Sequence, residues 1–285
     1  MRMLVTGASG FVGRSLLARM PGAIRIPLGA NDWRERVEQA DYRDGAVVHL
    51  AARVHESGAS WAQWEADNVV KSEALARAAA RSGAARFVFM STIKVHGEET
   101  HDAPFHARDA LQPHDAYARS KALAEERLRA VSKETGLPVA VIRAPLVFGS
   151  GAKANLRRVL RLAASGIPLP FARIENRRSW VHVDDLSDLI VRVAHDAAGP
   201  VSMIAAHPRP FSTPELISGL RSRMHRVARL FPLARKTLEV IAAVAGQAGP
   251  MRRLTRSLEG DPAEALARGW QPRHDFSAAM DELIA

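Results

Sequence analysis

An apolar strand pattern at residues 2–6 runs straight into Gly7-Ala8-Ser9-Gly10-Phe11-Val12-Gly13, and helical spacing follows over residues 11–20. This succession constrains the chain more than any other feature. Glycine allows the positive φ and close backbone approach that a tight strand-to-helix turn needs. The helix start then offers free N–H groups and a positive dipole end, which suit a pyrophosphate. Glycine triplets also collect in ordinary turns. The strand–loop–helix context is what favours the phosphate reading.

The same alternation continues. Residues 46–51, 86–91 and 139–143 read as buried strands, and 61–82 and 117–135 as helices. Strands alternating with helices predict a parallel sheet covered on both faces. Residues 24–28 read as a second strand, although Pro27 suits only its end. Residues 29–45 are too short for helix, strand and helix, so one strand of the usual doubly wound order is expected to be missing or reduced to an irregular loop. Past Gly149 the alternation weakens: 155–165 and 184–195 read as helices and 179–183 as a strand. Ser212-Thr213-Pro214-Glu215 is a capping box ahead of another helix, and the pattern from 233 onward is helical with breaks. The expected fold class is therefore α/β. Residues 1–150 are expected to form mainly a Rossmann doubly wound parallel sheet. Residues 151–285 are expected to form mainly a smaller C-terminal substrate-binding lobe, with some segments returning to the sheet.

A composition of 47% hydrophobic and 25% charged residues excludes general disorder. The absence of cysteine removes a disulfide framework and a thiolate metal site. The first residues show no signal-peptide core and no apolar run approaches bilayer length, so a cytoplasmic protein is expected. The net charge of +10 has three readings. They are a solvated arginine surface, attraction for an anionic small substrate such as a nucleotide diphosphate, and contact with nucleic acid or anionic lipid. Nucleic acid fits poorly, because no binding motif is visible and aromatics are only 6%. Residues 221–236 hold Arg221, Arg223, Arg226, Arg229, Arg235 and Lys236 with no acid. They read as an ordinary amphipathic helix packed on the core or as a weak peripheral membrane contact. His49, His182 and His207 have no metal-ligand spacing, so no metal is expected.

Tyr117 and Lys121 stand four apart near a helix start and share one face. A nearby ammonium favours phenolate, so the tyrosine pKa is expected to fall toward working pH. Such a tyrosine can exchange a proton with a carbonyl or alcohol while hydride moves to or from nicotinamide. Alone, the pair would read as a surface tyrosine on a lysine stem. Ser91 and Thr92, however, end a buried strand, where open α/β sheets place ligands. The carboxylate that usually holds the adenine ribose is not at Leu28-Gly29, and Asp32 is the nearest acid. Its absence leaves room for a 2′-phosphate near Arg14 or Arg25, a slight preference for NADP over NAD.

With these residues in place, the chain resembles the extended short-chain dehydrogenases, the NAD-dependent epimerase/dehydratase family acting on nucleotide sugars. The resemblance rests on the Thr6–Gly13 loop, His49-Leu50-Ala51-Ala52, Asn68-Val69, the run from Phe89 to Gly97, Arg143-Ala144-Pro145-Leu146-Val147-Phe148-Gly149, the run from Arg178 to Leu186, and Gly269-Trp270-Gln271-Pro272. It implies Thr92, Tyr117 and Lys121 as catalytic residues. For the cofactor it implies Gly7, Ser9, Gly10, Phe11, Val12, Gly13, Leu50, Ala51, Ala52, Ala144 and Val147, together with Tyr117 and Lys121. For a UDP-sugar it implies Ser91, Lys94, Lys153, Asn155 and Arg178. Lys153 also reads as a loop charge and Asn155 as a helix cap. A homodimer through the helices near 61–82 and 117–135 is implied as well. Ser91 to Glu98, Gly151 to Asn155 and Ile174 to Ser179 are similar to a bacterial branch linked to O-antigen synthesis. That branch includes 4-keto-hexosamine reductases and proteins called UDP-glucose 4-epimerase-like.

Dehydratases of the family carry an acidic pair directly after the catalytic hydroxyl. Here Ile93 and Lys94 follow Thr92, and isoleucine can act neither as acid nor as base. Reductase and epimerase remain. A reductase must exchange its cofactor, which a shortened adenosine side favours; an epimerase keeps its NAD bound. A non-catalytic NADP-binding sensor is a third reading, against which the retained Tyr–Lys pair speaks.

Overall fold

A computed structural model describes residues 1–54, 58–151, 155–196 and 198–284, the side chains of Asn155 and Arg157 excepted. In chain order the first half holds β1 (Met3–Thr6), α1 (Phe11–Arg19), β2 (Ile24–Arg25), α2 (Trp33–Gln39), β3 (Ala46–His49) and α3 (Trp61–Glu65). A five-residue π turn (Ala66–Val70) leads to α4 (Lys71–Arg81), then β4 (Arg86–Thr92), a 3-10 turn (Ile93–Val95), α5 (Ala116–Thr135), β5 (Val139–Ala144) and β6 (Leu146–Phe148). There follow α6 (Asn155–Ala164), β7 (Trp180–His182), α7 (Val183–His195), β8 (Val201–Ile204), α8 (Thr213–Arg223), α9 (Arg235–Val244), α10 (Ala248–Thr255), α11 (Ala263–Ala267) and α12 (Phe276–Ile284).

Six strands form one parallel sheet in the order β2-β1-β3-β4-β5-β8. This is a Rossmann-like α/β fold. β1 and β3 are buried along their whole length, as strands covered on both faces must be. One face packs Val5, Val48 and Ile142 against Leu16 of α1 and Leu186, Leu189 and Ile190 of α7. The other packs Leu4, Val47 and Phe87 against Leu75 of α4 and Leu128 of α5. Burying each such side chain contributes about 1.5–3 kcal/mol.

Between β2 and β3 the chain forms α2 and no strand, so β2 is the sheet edge. The doubly wound order is shortened on that side, as the length of residues 29–45 requires. β2 itself shrinks to two exposed residues. Pro27 has no N–H for a ladder, and no outer strand covers this edge. β1 connects to β2 on one side and lies beside β3 on the other, which opens a crevice at the C-terminal ends of β1 and β3.

β8 has no counterpart in the expected elements. Four residues, half of them buried, give too short a signal to stand out. Residues 221–236 also differ from a single amphipathic helix. α8 ends at Arg223, and His225 takes a positive φ of 54°. Arg221 turns inward and donates to the carbonyls of Ala163, Ile167 and Arg229. Its charge therefore serves the packing of α8 on its neighbours.

Away from the sheet, β6 pairs with β7, and Phe148, Trp180, Phe211 and Phe276 form an aromatic core beneath α8 and α12. A second cluster joins Leu169, Phe171, Ile174 and Ile217 to Leu238 of α9. Trp270 closes back on the sheet side, where its indole N–H donates to the Asp185 carbonyl.

Candidate active site

The glycine loop fits against the end of β3 with no room for side chains. Gly7 has φ +69°, and a Cβ there would lie 2.5 Å from the Ala51 nitrogen. A Cβ on Gly13 would lie 2.3 Å from the Gly7 carbonyl oxygen. The loop is thus locked beside Leu50 and Ala51, with Ala52 next in the chain. Gly10 is the N-cap of α1, and no side chain caps it. The first-turn N–H groups, bordered by Ser9, Phe11 and Val12, remain available to an anionic group. This cradle fits the pyrophosphate of a dinucleotide. On the adenosine side, Asp32 is bound to Arg36 at 2.8 Å and Arg14 donates to the Ser9 carbonyl.

Behind the loop runs a directed chain of hydrogen bonds. The Ala51 N–H donates to Thr6 Oγ1, whose hydroxyl donates to His49 Nδ1 at 2.6 Å. His49 Nε2 donates to Ser72 Oγ at 2.8 Å, and Ser72 donates to the Asn68 carbonyl at 2.7 Å. Asn68 Nδ2 donates to Ser120 Oγ, which donates to the Tyr117 carbonyl, each at 2.8 Å. Each serine proton is committed to a carbonyl, so His49 Nε2 is the donor to Ser72, and a neutral ring leaves Nδ1 to accept from Thr6. Burial and the nearby Lys121 push its pKa down to about 3. Asn68 lies in the π turn, a distortion often found at functional sites. Its amide also brackets the Arg53 backbone from both sides. Ser72 and Ser120 were not singled out in the sequence, and Thr6 entered only as the first residue of the glycine loop; their closeness in space gives them this role.

Asp115 caps α5 by accepting the Ala118 N–H at 2.7 Å, which places Tyr117 in the first turn. Lys121 follows one turn later, almost wholly buried. Its ammonium donates to the Met90 carbonyl at 2.8 Å and lies 4.4 Å from the Phe89 ring centre. Burial pushes its pKa down to about 7. The expected lowering of the tyrosine pKa is reversed. Burial, and then the Asp115 carboxylate, push Tyr117 above its ordinary value. The lysine charge is spent on Met90.

Thr92 ends β4 beside Ala144, its register partner on β5, and accepts the Lys94 N–H. Ala144 leads directly to β6, which holds Val147. Ser91 points the other way: its hydroxyl donates to Glu125 at 2.6 Å within a buried group that includes Arg143 and His96. Ile93 is buried against Ile204 and Leu258. Lys94 pairs with Glu98 and Asp115.

Arg178 donates to the Arg256 carbonyl. Burial and the nearby Arg253 bring its pKa down to about 10, opposed by Glu98. Arg253 also helps hold the Asp115 carboxyl low, after Lys94 and the Ala118 N–H. Lys153 lies outside the described residues, as does the Asn155 side chain. His182 does converge with His274 and Glu282, which their sequence spacing could not reveal. The Asp184 N–H donates to His182 Nδ1, leaving Nε2–H to donate to Glu282 at 2.9 Å. His274 Nδ1 is bonded to Asp185. These bonds tie α12 to the start of α7.

Residues 3–204 match the NAD dependent epimerase/dehydratase family. Over 297 aligned residues the chain is 31% identical to a UDP-glucose 4-epimerase of Vibrio cholerae, covering 95% of this chain and 90% of the relative. Two solved structures share the fold. RMD from Pseudomonas aeruginosa complexed with NADPH has a TM-score of 0.77 at 20% identity, over 100% of this chain and 98% of that one. DesIV, a dTDP-glucose 4,6-dehydratase from Streptomyces venezuelae with NAD bound, has a TM-score of 0.79 at 20% identity, over 100% and 96%. The chain is an enzyme of the NAD dependent epimerase/dehydratase family.

Proposed function

We propose that this enzyme reduces the C4 keto group of a UDP-linked 2-acetamido-2,6-dideoxy-hexose in surface-polysaccharide (O-antigen) biosynthesis, using NADPH or NADH. The observation that carries the reading is the segment after Thr92. Ile93 is committed to the core and Lys94 to Asp115 and Glu98, so neither supplies an acid–base pair for elimination. One proton donor, Tyr117, is left for one oxygen.

In this reading the first turn of α1 holds the pyrophosphate and Lys121 the nicotinamide ribose. The reduced nicotinamide, when bound, supplies the hydride. Thr92 donates a hydrogen bond that orients the C4 carbonyl. Tyr117 gives its phenolic proton to that oxygen as the carbonyl becomes an alcohol. A phenol held above its ordinary pKa is protonated at neutral pH, and its proton can pass to the more basic alkoxide oxygen that forms as hydride arrives. Arg178 and Arg253, and with them Lys153 and Asn155, serve the UDP diphosphate; Lys94 positions Asp115. The shortened sheet edge and the Asp32–Arg36 pair support a cofactor that comes and goes. We place the enzyme in the cytoplasm, as a homodimer through the outer faces of α3 to α5; among the described residues no helix is long and apolar enough to cross a membrane.

A second reading, UDP-sugar 4-epimerase with retained NAD, is favoured by the Vibrio cholerae relative. The deciding experiment offers the 4-keto sugar with NADPH or NADH and follows cofactor absorbance. Stoichiometric cofactor oxidation supports the reductase. Its absence, together with UDP-glucose to UDP-galactose conversion on bound NAD, replaces it with the epimerase.

A further inference from the structure

We propose that the outer face of α9, with the basic loop before it, docks on an anionic lipid surface. α9 has two apolar sides. Leu238 and Ala242 are buried, Leu238 against Leu169, Phe171 and Ile217. Val240, Ile241 and Val244 share another face and are 63%, 56% and 88% exposed. Val227 in the preceding loop is 72% exposed, and Phe231 is exposed too. Five of the eleven exposed large hydrophobics among the described residues thus fall within 227–244. An isolated exposed valine is ordinary; a run of them on one side marks an interaction surface.

The charge around this side selects the partner. Arg226, Arg229, Arg235 and Lys236 are exposed within the same stretch. From residue 216 to 258 the only acid is Glu239, and it is taken by Arg256 and Thr255. Arg235 shares Glu239 with Arg256, whereas Arg226, Arg229 and Lys236 form no ion pair among the described residues. Exposed aliphatic side chains rimmed by Lys and Arg are the composition of a helix that lies in a membrane interface. A second copy would bring like charges face to face. A lipid surface also needs no matching groove: a convex helix inserts its side chains between headgroups. The inference stands apart from the choice between reductase and epimerase, since docking requires no turnover.

The test is flotation of the full-length protein with phosphatidylcholine vesicles, with and without phosphatidylglycerol, at low and high salt. Binding is expected only with phosphatidylglycerol and is expected to weaken with salt. Replacing Arg226, Arg229, Arg235 and Lys236 by Gln should cost about fivefold in affinity per residue removed. The triple change Val240→Ser, Ile241→Ser, Val244→Ser should abolish flotation. Both variants should keep the wild-type melting temperature and cofactor affinity, which separates docking from misfolding. Absence of flotation at low salt, equal binding to neutral vesicles, or binding unaffected by both variants overturns the proposal. So does a concentration-dependent dimer that the triple variant abolishes, which would assign this face to a second copy.

Discussion

Lys94 and Asp115 form an ion pair that ties the turn after Thr92 to the first residue before α5. The same carboxylate caps the helix and raises the pKa of Tyr117 two residues on. One side chain thus fixes the start of the tyrosine's helix and adds to the effect of burial on its proton affinity. Asp115→Asn keeps a capping oxygen but removes the charge. We expect the high-pH limb of the rate profile to move to lower pH, because the phenol then loses its proton earlier. Asp115→Ala should in addition cost about 1 kcal/mol of stability from the lost cap. An unmoved pH profile in the Asn variant would contradict the electrostatic role.

Tyr117→Phe removes the proton donor and little else, since the ring still packs 6.2 Å from the Trp64 ring. Turnover should fall by a factor on the order of 10² to 10⁴, with cofactor affinity unchanged. Rate measurements beside a cofactor fluorescence titration check both. An unchanged rate in the variant would remove Tyr117 from the chemistry.

Lys121 makes stability depend on pH in a defined window. It is a base whose folded pKa is lowered to about 7 by burial. Between that value and its ordinary value of about 10.4, the unfolded chain binds more protons than the folded one. Stability should therefore rise with pH across this window. Lys121→Met should remove that contribution. Urea midpoints of cofactor-stripped wild type and variant, compared from neutral pH upward, should converge or cross. Parallel curves would mean the ammonium is not desolvated in solution.

Glu125 is fully buried and meets Ser91, Arg129 and Arg143. Arg143 is also nearly fully buried and depends on it for charge balance. Glu125→Ala should destabilise by about 3–5 kcal/mol, because the guanidinium is left buried without its partner. Thermal unfolding reads this directly. A loss below about 1 kcal/mol would show that water or a neighbour replaces the carboxylate.

Gly13→Ala tests the phosphate cradle. The new methyl would meet the Gly7 oxygen at 2.3 Å and Ala8 Cα at 2.8 Å, both backbone atoms that cannot swing aside. The loop must shift, and affinity for NADPH and NADH should fall together, at least tenfold. Calorimetric titration with each cofactor checks the result; unchanged binding would remove this loop from the cofactor site.

What could be read from the order of residues was whatever is local. The glycine loop, the alternation of strands and helices, the Ser212 capping box and the Tyr117–Lys121 spacing all act over a few residues, and the fold uses each where the chain places it. The short 29–45 segment likewise limits the sheet edge, because a strand needs length. Tertiary structure decided the rest. Ser91 and Thr92 are neighbours, yet the period of a strand sends one hydroxyl to Glu125 and leaves the other beside Ala144. Lys121 lies four residues from Tyr117, but burial turns its ammonium toward Met90 and reverses the expected pKa shift. Arg178 reaches the Arg256 carbonyl, and His49 links Thr6 to Ser72, across separations that no spacing rule spans. Local pattern determines which elements form. Desolvation and contact across the fold determine what charge and proton each side chain holds once they have packed.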